Sequence, residues 1–362
     1  MIQPRKPDKK PDIRNISRNE LIAFFAGHGM RSFRADQALQ WLYARRVQSF
    51  EEMTNLAKEA RGLLADHFTI PSPEVCDVQV AEDGTCKFLF GLDDGHCVES
   101  VLIPEKDHYT LCISTQVGCA MGCAFCMTGK TGLIRNLSRS EIIGQVISCQ
   151  DEAAARGGMR LSNLVLMGMG EPLANYSNVV GALRVITNSD WGLKFSTRRV
   201  TLSTAGLAER FDDLAGDTRV RLAVSLNAAD NTTRDRLMPI NKKIPIEQLI
   251  AACTRYPLPP RDKITFEYIL IKGINDSEKH AKQLAKLLRP VRAKVNLIPF
   301  NPHPGTTFQR PENAAIEAFQ SVLIKNNYTA IIRWSKGSDI DAACGQLRGA
   351  HSAKGPDPSS DR

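Results

Sequence analysis

The spacing of hydrophobic positions changes character along this chain, and each change marks a structural unit. Between residues 16 and 70 the pattern is helical: Ser17-x-x-Glu20, a capping-box signature, precedes Leu21, Ile22, Phe24 and Phe25. Ala35, Ala38, Leu39 and Leu42, then Met53, Leu56, Ala57, Ala60, Leu63 and Leu64, recur three and four residues apart, with glycines and serines around 27–32 as breaks. From 75 to 104 the period falls to two: Val78, Val80, Phe88, Phe90, Val98, Val101 and Ile103 alternate with polar residues, and Asp93-Asp94-Gly95 marks a hairpin turn. From about 110 onward apolar strands alternate with amphipathic helices. The pattern predicts strands at 110–115, 163–168, 198–203, 219–226, 264–271 and 294–299, and helices at 139–155, 177–188, 206–215, 245–255, 276–289 and 312–326.

Such alternation specifies an α/β fold with a parallel sheet. Six β/α units are too few for the closed eight-fold barrel. The expected architecture is therefore an open six-stranded (β/α)6 partial barrel over 105–335, preceded by a small helical domain at 16–70 and a short antiparallel β extension at 75–104. Residues 1–15 read as a disordered basic tail, 336–350 as a loop, and 351–362 as a disordered polar end. In barrels and open α/β sheets, chemistry gathers at the C-terminal ends of the strands.

Composition narrows the functional classes. With 43% hydrophobic and 24% charged residues in 362, the chain can bury a sizeable core, and no uninterrupted apolar run reaches the ~18 residues of a membrane span. Its start, Met-Ile-Gln-Pro-Arg-Lys-Pro, has no apolar stretch of a signal peptide, so a cytoplasmic location is expected. There, ten cysteines point to metal or redox chemistry rather than a disulfide framework. A net charge of +8 suits a polyanionic partner, although many enzymes are mildly basic. Arginines 14, 18, 31, 34, 45 and 46 give the helical unit a basic cast, which fits RNA contact or a solvated face equally. Lys242, Lys243, Arg198 and Arg199 are further candidate phosphate contacts.

Three cysteines carry the chemistry. Cys119, Cys123 and Cys126 lie in Gly-Cys-Ala-Met-Gly-Cys-Ala-Phe-Cys-Met-Thr-Gly, directly after the first barrel strand. Structural zinc usually takes four ligands in paired CxxC-like motifs. Three thiolates without a fourth suit a 4Fe–4S cube whose remaining iron stays open, with Phe125 as an apolar cover. Zinc and a chance grouping of thiols are the alternatives. Polar residues gather at predicted strand ends: Gly170 and Glu171 in Gly-Met-Gly-Glu-Pro-Leu, Ser203, the Ser225-Leu226-Asn227 run, and Asn301. Glycine lets backbone approach a ligand, a carboxylate accepts from an ammonium, and hydroxyls and amides hold ribose and carboxylate groups. Ser and Asn are also common at strand ends as helix caps. Cys344, flanked by glycines, and Cys112, seven residues before Cys119, stand outside the loop; buried apolar cysteine is the alternative for both.

The CxxxCxxC loop resembles the cluster loop of the radical S-adenosylmethionine (SAM) enzymes. The runs Gly-Met-Gly-Glu-Pro-Leu, Arg236-Leu-Met-Pro-Ile-Asn-Lys-Lys243, Phe266-Glu-Tyr, Asn296-Leu-Ile-Pro-Phe-Asn-Pro and Asp339-Ile-Asp-Ala-Ala-Cys-Gly-Gln-Leu resemble the RlmN family over roughly residues 17–349. That family methylates adenine C2 in 23S rRNA and tRNA. The resemblance implies a 4Fe–4S cluster on Cys119, Cys123 and Cys126 and two SAM molecules per turnover, bound by the strand-end residues. It implies that Cys344 is methylated by one SAM. The radical from a second then activates that methyl group for addition to C2. Cys112 next resolves the enzyme–RNA adduct through a transient disulfide with Cys344. Glu99 matches the family's proton acceptor, though by itself it reads as a surface carboxylate. A reducing donor such as flavodoxin or ferredoxin and a monomeric state are further expectations. A related C8 methyltransferase of the Cfr type, a radical SAM enzyme with a non-RNA substrate, and a non-catalytic iron–sulfur carrier are the competing readings.

Overall fold

Ser17 starts the first helix as its spacing predicts. Its hydroxyl accepts the Glu20 amide, and the Glu20 carboxylate accepts the Ser17 amide at 2.7 Å, closing a capping box on α1 (Arg18–Gly27). In the computed structural model, which describes residues 10–156 and 159–349, α2 (Phe33–Leu39), a π-helical turn (Gln40–Ala44) and α3 (Lys58–His67) complete this unit. Leu21, Phe25, Leu39, Tyr43, Met53 and Leu64 form its core. The unit begins earlier than 16. Asp12 bridges to Thr69, Ile13–Asn15 form a 3-10 turn, and buried Arg14 pairs with Asp12 at 2.8 Å and with the Pro71 carbonyl. Residues 10–15 are therefore folded, which corrects the expected tail over that stretch. The remaining tail expectations, for 1–9 and 351–362, lie outside the described residues.

The antiparallel extension is β1 (Glu74–Val80), β2 (Cys86–Gly91) and β3 (Cys97–Pro104), with the expected turn between β2 and β3. It is continuous with the main sheet, because β3 pairs antiparallel with β4 (His108–Cys112). Next come β5 (Gln116–Gly118), α4 (Met127–Thr131) and β6 (Leu133–Asn136), in which β5 and β6 pair as a separate two-stranded ribbon. Strands and helices then alternate: α5 (Arg139–Ala155), β7 (Arg160–Leu166), α6 (Tyr176–Thr187), β8 (Val200–Thr204), α7 (Phe211–Asp217), β9 (Arg221–Ser225), α8 (Asn231–Leu237), α9 (Ile246–Arg255), β10 (Ile264–Leu270), α10 (Glu278–Leu287), β11 (Ala293–Pro299), α11 (Asn313–Lys325) and β12 (Ala330–Ile332). The sheet order is β1-β2-β3-β4-β7-β8-β9-β10-β11-β12, parallel from β4 onward. The six predicted parallel strands are all present, and three-residue β12 adds a seventh at the edge.

Two features position the site. Every loop that follows a parallel strand emerges on one rim, so the cluster loop, the 167–171 turn, Ser203, Ser225 and Asn301 share that rim. Strands β2 and β3 of the extension are covered on both faces, whereas β1 is largely exposed. Phe88, Phe90 and Val98 face inward with Ser100, whose hydroxyl donates to Gln145 of α5 at 2.7 Å. On the opposite face Lys87 and Glu99 are also buried, beneath the 336–349 segment. Alternating apolar and polar residues would leave such a face open to water, but that segment covers it over β2 and β3. Arg198 and Arg199, candidate phosphate contacts, precede β8 and so sit on the rim away from the cavity. Arg18 and Arg46 of the helical unit are occupied in ion pairs with Asp36 and Asp151.

Candidate active site

Cys119, Cys123 and Cys126 line one cavity of about 160 Å³ together with Gly170, Glu171, Ser203, Ser225, Asn227, Glu267 and Cys344. Burial pushes the Cys119 thiol up to about 11 and raises Cys123 further, and the neighbouring thiols add to both shifts. Three mutually repelling thiolates in one pocket need a cationic core, which an iron–sulfur cube provides. The loop is shaped to hold them. A Cβ on Gly129 would stand 3.0 Å from the Cys123 nitrogen and 3.2 Å from its carbonyl oxygen, so only glycine lets α4 close over the loop. The donor set and this cradle fit the cluster. Phe125 is buried as the expected cover, and its carbonyl accepts His303 Nε2 at 3.2 Å.

The strand-end residues divide by what they touch. Gly170 has φ +101°, and a Cβ there would collide with Gln116. This tight turn drops Glu171 into the cavity wall. Its carboxylate accepts the amides of Leu173 at 3.0 Å and Ala205 at 2.6 Å, while burial lifts its pKa to about 7. Ser203, Ser225 and Asn227 line the cavity. Asn227, in the left-handed region at φ +56°, accepts the Ile269 amide at 2.8 Å and thereby ties β9 to β10. Leu226 and Asn301 are not among the lining residues. The Leu226 side chain is core, its amide pairs with the Glu267 carbonyl, and its own carbonyl accepts Arg234 Nε at 3.1 Å. Asn301 donates to the Cys344 carbonyl at 3.2 Å and accepts the Ser335 hydroxyl, so it anchors the loop.

The Cys344 segment is fixed from several sides. Thr128 donates to the Leu347 carbonyl at 2.6 Å, and the Met127 amide donates to Gly345 at 2.8 Å. Gly345, at φ +88°, leaves Cys344 facing the cavity with its side chain exposed to solvent there, and the surrounding protein, then Glu267 and Cys126, raise its thiol. The Cys112 thiol is pushed up by burial and then by Cys344. Glu99 is buried but lies under the loop, outside the cavity. Its Oε2 accepts the amides of Arg348 at 2.7 Å and Gly349 at 3.0 Å, and Lys87 Nζ lies 3.3 Å from Oε1. Lys87 also donates to the Ile340 carbonyl at 2.6 Å. This corrects the picture of Glu99 as a surface carboxylate.

Pattern reading assigned no role to three groups the fold places at or beside this cavity. Arg234 is fully buried beneath it, donating to the carbonyls of Ala205 at 2.7 Å and Leu226 and to Asn241 at 3.0 Å. Lys87 is the second. The third is Glu267, which accepts Asn296 Nδ2 at 2.9 Å and is raised to about 7 by burial. Asn296 Oδ1 is buried and has no hydrogen-bond partner, and a protonated Glu267 is the neighbouring donor that can satisfy it. Of the three, only Glu267 carried a sequence signal, as part of the Phe266-Glu-Tyr run; Lys87 and Arg234 lie outside every run that marks the family. A raised carboxyl pKa means that the folded state binds a proton the unfolded chain has lost above about 4.5. Its stability is intact below that pH and declines as pH rises to 7. Glu267→Gln should therefore melt with wild type near pH 4.5 and above it at pH 8, by on the order of 3 kcal/mol. Parallel thermal melts across that range check the sign; equal melting at both ends would contradict it.

The chain's relatives agree with this geometry. The profile of the ribosomal RNA large subunit methyltransferase N-terminal domain matches residues 11–70, and that of the radical SAM superfamily matches 113–285. A dual-specificity RNA methyltransferase RlmN from Desulfosudis oleivorans is 56% identical over 93% of this chain and 90% of its own length. Its counterpart from Geotalea uraniireducens is 50% identical over 94% and 97%. A crystal structure of a radical SAM methyltransferase from Sphaerobacter thermophilus superposes with a TM-score of 0.87 at 41% identity, covering 94% of this chain and all of that one. Radical SAM enzymes use a 4Fe–4S cluster and SAM. With its helical N-terminal domain, open parallel barrel and cysteine-lined cavity all accounted for, the chain belongs to the RlmN family of dual-specificity RNA methyltransferases within the radical SAM superfamily.

Proposed function

We propose that this enzyme methylates adenine C2 in 23S rRNA at the peptidyl transferase centre and in tRNA at the adenosine 3′ of the anticodon, working through Cys344. The observation that carries this reading is that Cys344 opens into the same cavity as the three clustered cysteines. Adenine C2 is electron-poor and cannot displace a methyl group from a sulfonium, so a protein-borne intermediate answers a chemical need. Cys119, Cys123 and Cys126 would hold the cluster. Gly170, Glu171, Ser203, Ser225 and Asn227 would hold SAM, with the Leu226 backbone and Asn301 supporting that wall. When bound, the cluster and SAM supply a transferable methyl group and a radical that activates it.

The chain's own residues do the rest. Cys344 loses its proton and takes the methyl group as S-methylcysteine. After carbon–carbon bond formation at C2, the unpaired electron would return to the cluster and Glu99 accepts the displaced ring proton. Cys112 thiolate then attacks the Cys344 sulfur and a disulfide forms; the sulfur–carbon bond breaks with its electron pair going to the base-bound carbon, which takes a proton from water to become the methyl group, and the methylated base leaves. Two electrons from a thiol reductant or a donor such as flavodoxin or ferredoxin restore both thiols. The target base must leave its stack to reach the cavity, which suits loops. Lys242 and Lys243 follow α8, whose Leu237 carbonyl accepts the Ala124 amide of the cluster loop at 2.9 Å, so they stand on the substrate side. Among the described residues no helix is long and apolar enough to cross a membrane, and we place the enzyme in the cytoplasm with its RNA, as a monomer. Mass spectrometry of rRNA and tRNA from cells lacking or carrying the gene tests the reading. The expected gain is 2-methyladenosine in both classes; 8-methyladenosine, or no gain in either, would overturn it.

A further inference from the structure

Trp334 is nearly half exposed, at 47%, an unusual place for an indole. It follows β12 by two residues and therefore stands on the rim where the cavity opens. The guanidinium of Arg310 lies 5.6 Å from its ring centroid, and Arg310 is itself held by Asn313 at 3.1 Å at the start of α11. The next residue, Ser335, donates to Asn301, whose amide donates to the Cys344 carbonyl at 3.2 Å. A short chain of hydrogen bonds thus links the backbone beside this indole to the methyl-carrying residue. Arg333 and Arg310, both exposed, give the surroundings a positive charge.

We propose that Trp334 and Arg310 form a stacking platform for an unpaired nucleobase adjacent to the target adenine. The inference rests on the RNA reading above. A base drawn from its stack into the cavity leaves its neighbour with one bare face. An exposed indole backed by a guanidinium supplies a replacement, because every base has a π-face and the phosphodiester beside it meets the cation. Such a platform holds any base, so it contributes affinity for unpaired RNA and little sequence preference. It would not hold duplex, in which no base face is free.

The test is anisotropy of a fluorescein-labelled RNA hairpin with an adenine-containing loop, titrated with the cluster-loaded full chain. A fully paired duplex of equal length is titrated alongside. Trp334→Ala should weaken hairpin binding roughly 5- to 150-fold, with Trp334→Phe recovering most of the loss and the duplex unaffected. Methylation of Cys344 in the absence of RNA, followed by mass spectrometry of the protein, should be unchanged in all variants and reports correct folding. Unchanged hairpin affinity in Trp334→Ala overturns the platform, as does an equal loss for hairpin and duplex. Unchanged RNA affinity with slower reduction by flavodoxin would mark the surface as a protein contact instead. A chain that binds hairpins through Trp334 but methylates no RNA would overturn the proposed function and leave the platform standing.

Discussion

Cys344→Ala is expected to lower methyl transfer to RNA by about four orders of magnitude or more, the scale seen when a covalent nucleophile is removed. No other side chain can substitute. The remaining cysteines lining the cavity are Cys119, Cys123 and Cys126, which are committed to the cluster, and Cys112 is buried in the sheet. The neighbouring anchors, Gly345 to Met127 and Leu347 to Thr128, are backbone contacts that an alanine leaves intact. The variant should therefore fold, load iron and still release 5′-deoxyadenosine from SAM under reducing conditions. Liquid chromatography of that product, beside mass spectrometry of the RNA, separates the two activities. Full methylation by Cys344→Ala would remove the central role assigned to this residue. Cys112→Ala should fail later, leaving protein joined to RNA as a slow band on a denaturing gel.

Cys123→Ala should lose the iron altogether, from about four atoms per chain to nearly none. Its thiol is pushed up by burial and by both loop partners, and Gly129 closes against its backbone. Two thiolates are left to hold a cube that needs three, and an open pocket admits water to the edge. Iron and sulfide analysis after anaerobic reconstitution reads this directly. Cys149→Ala is the control: this cysteine is fully buried on α5, away from the cavity, and should retain a full complement. Retention of a full cluster by Cys123→Ala would sink the assignment of the loop.

Much of the fold was legible because local signals and tertiary demand agreed. The helix expected at 139–155 is present at those bounds: Ser138 and Glu141 close a capping box at its start, and Ile142, Ile143, Val146 and Cys149 bury one face. The cluster loop was legible because three thiols at that spacing have few other uses. Other parts depend on partners distant in sequence. Strands β5, β6 and β12, of three or four residues, are too short to show a period and exist because a neighbour pairs with them. Arg14, Lys87 and Glu267 are charged, so a pattern reading places them outside, but the Pro71 carbonyl, Glu99 and Asn296 reach them only once the chain has folded. Glu99 is the extreme case, since the amides it accepts lie some 250 positions later.

That grip has a kinetic corollary for the second half of the reaction. With the 336–349 segment seated, Oε2 of Glu99 is filled by the Arg348 and Gly349 amides and Oε1 is shared with Lys87. Three of the carboxylate's four lone-pair positions are thereby taken. In the reaction proposed above, a hydrogen leaving the nucleobase would have one place to go, on Oε1 beside Lys87, until the segment lifts away.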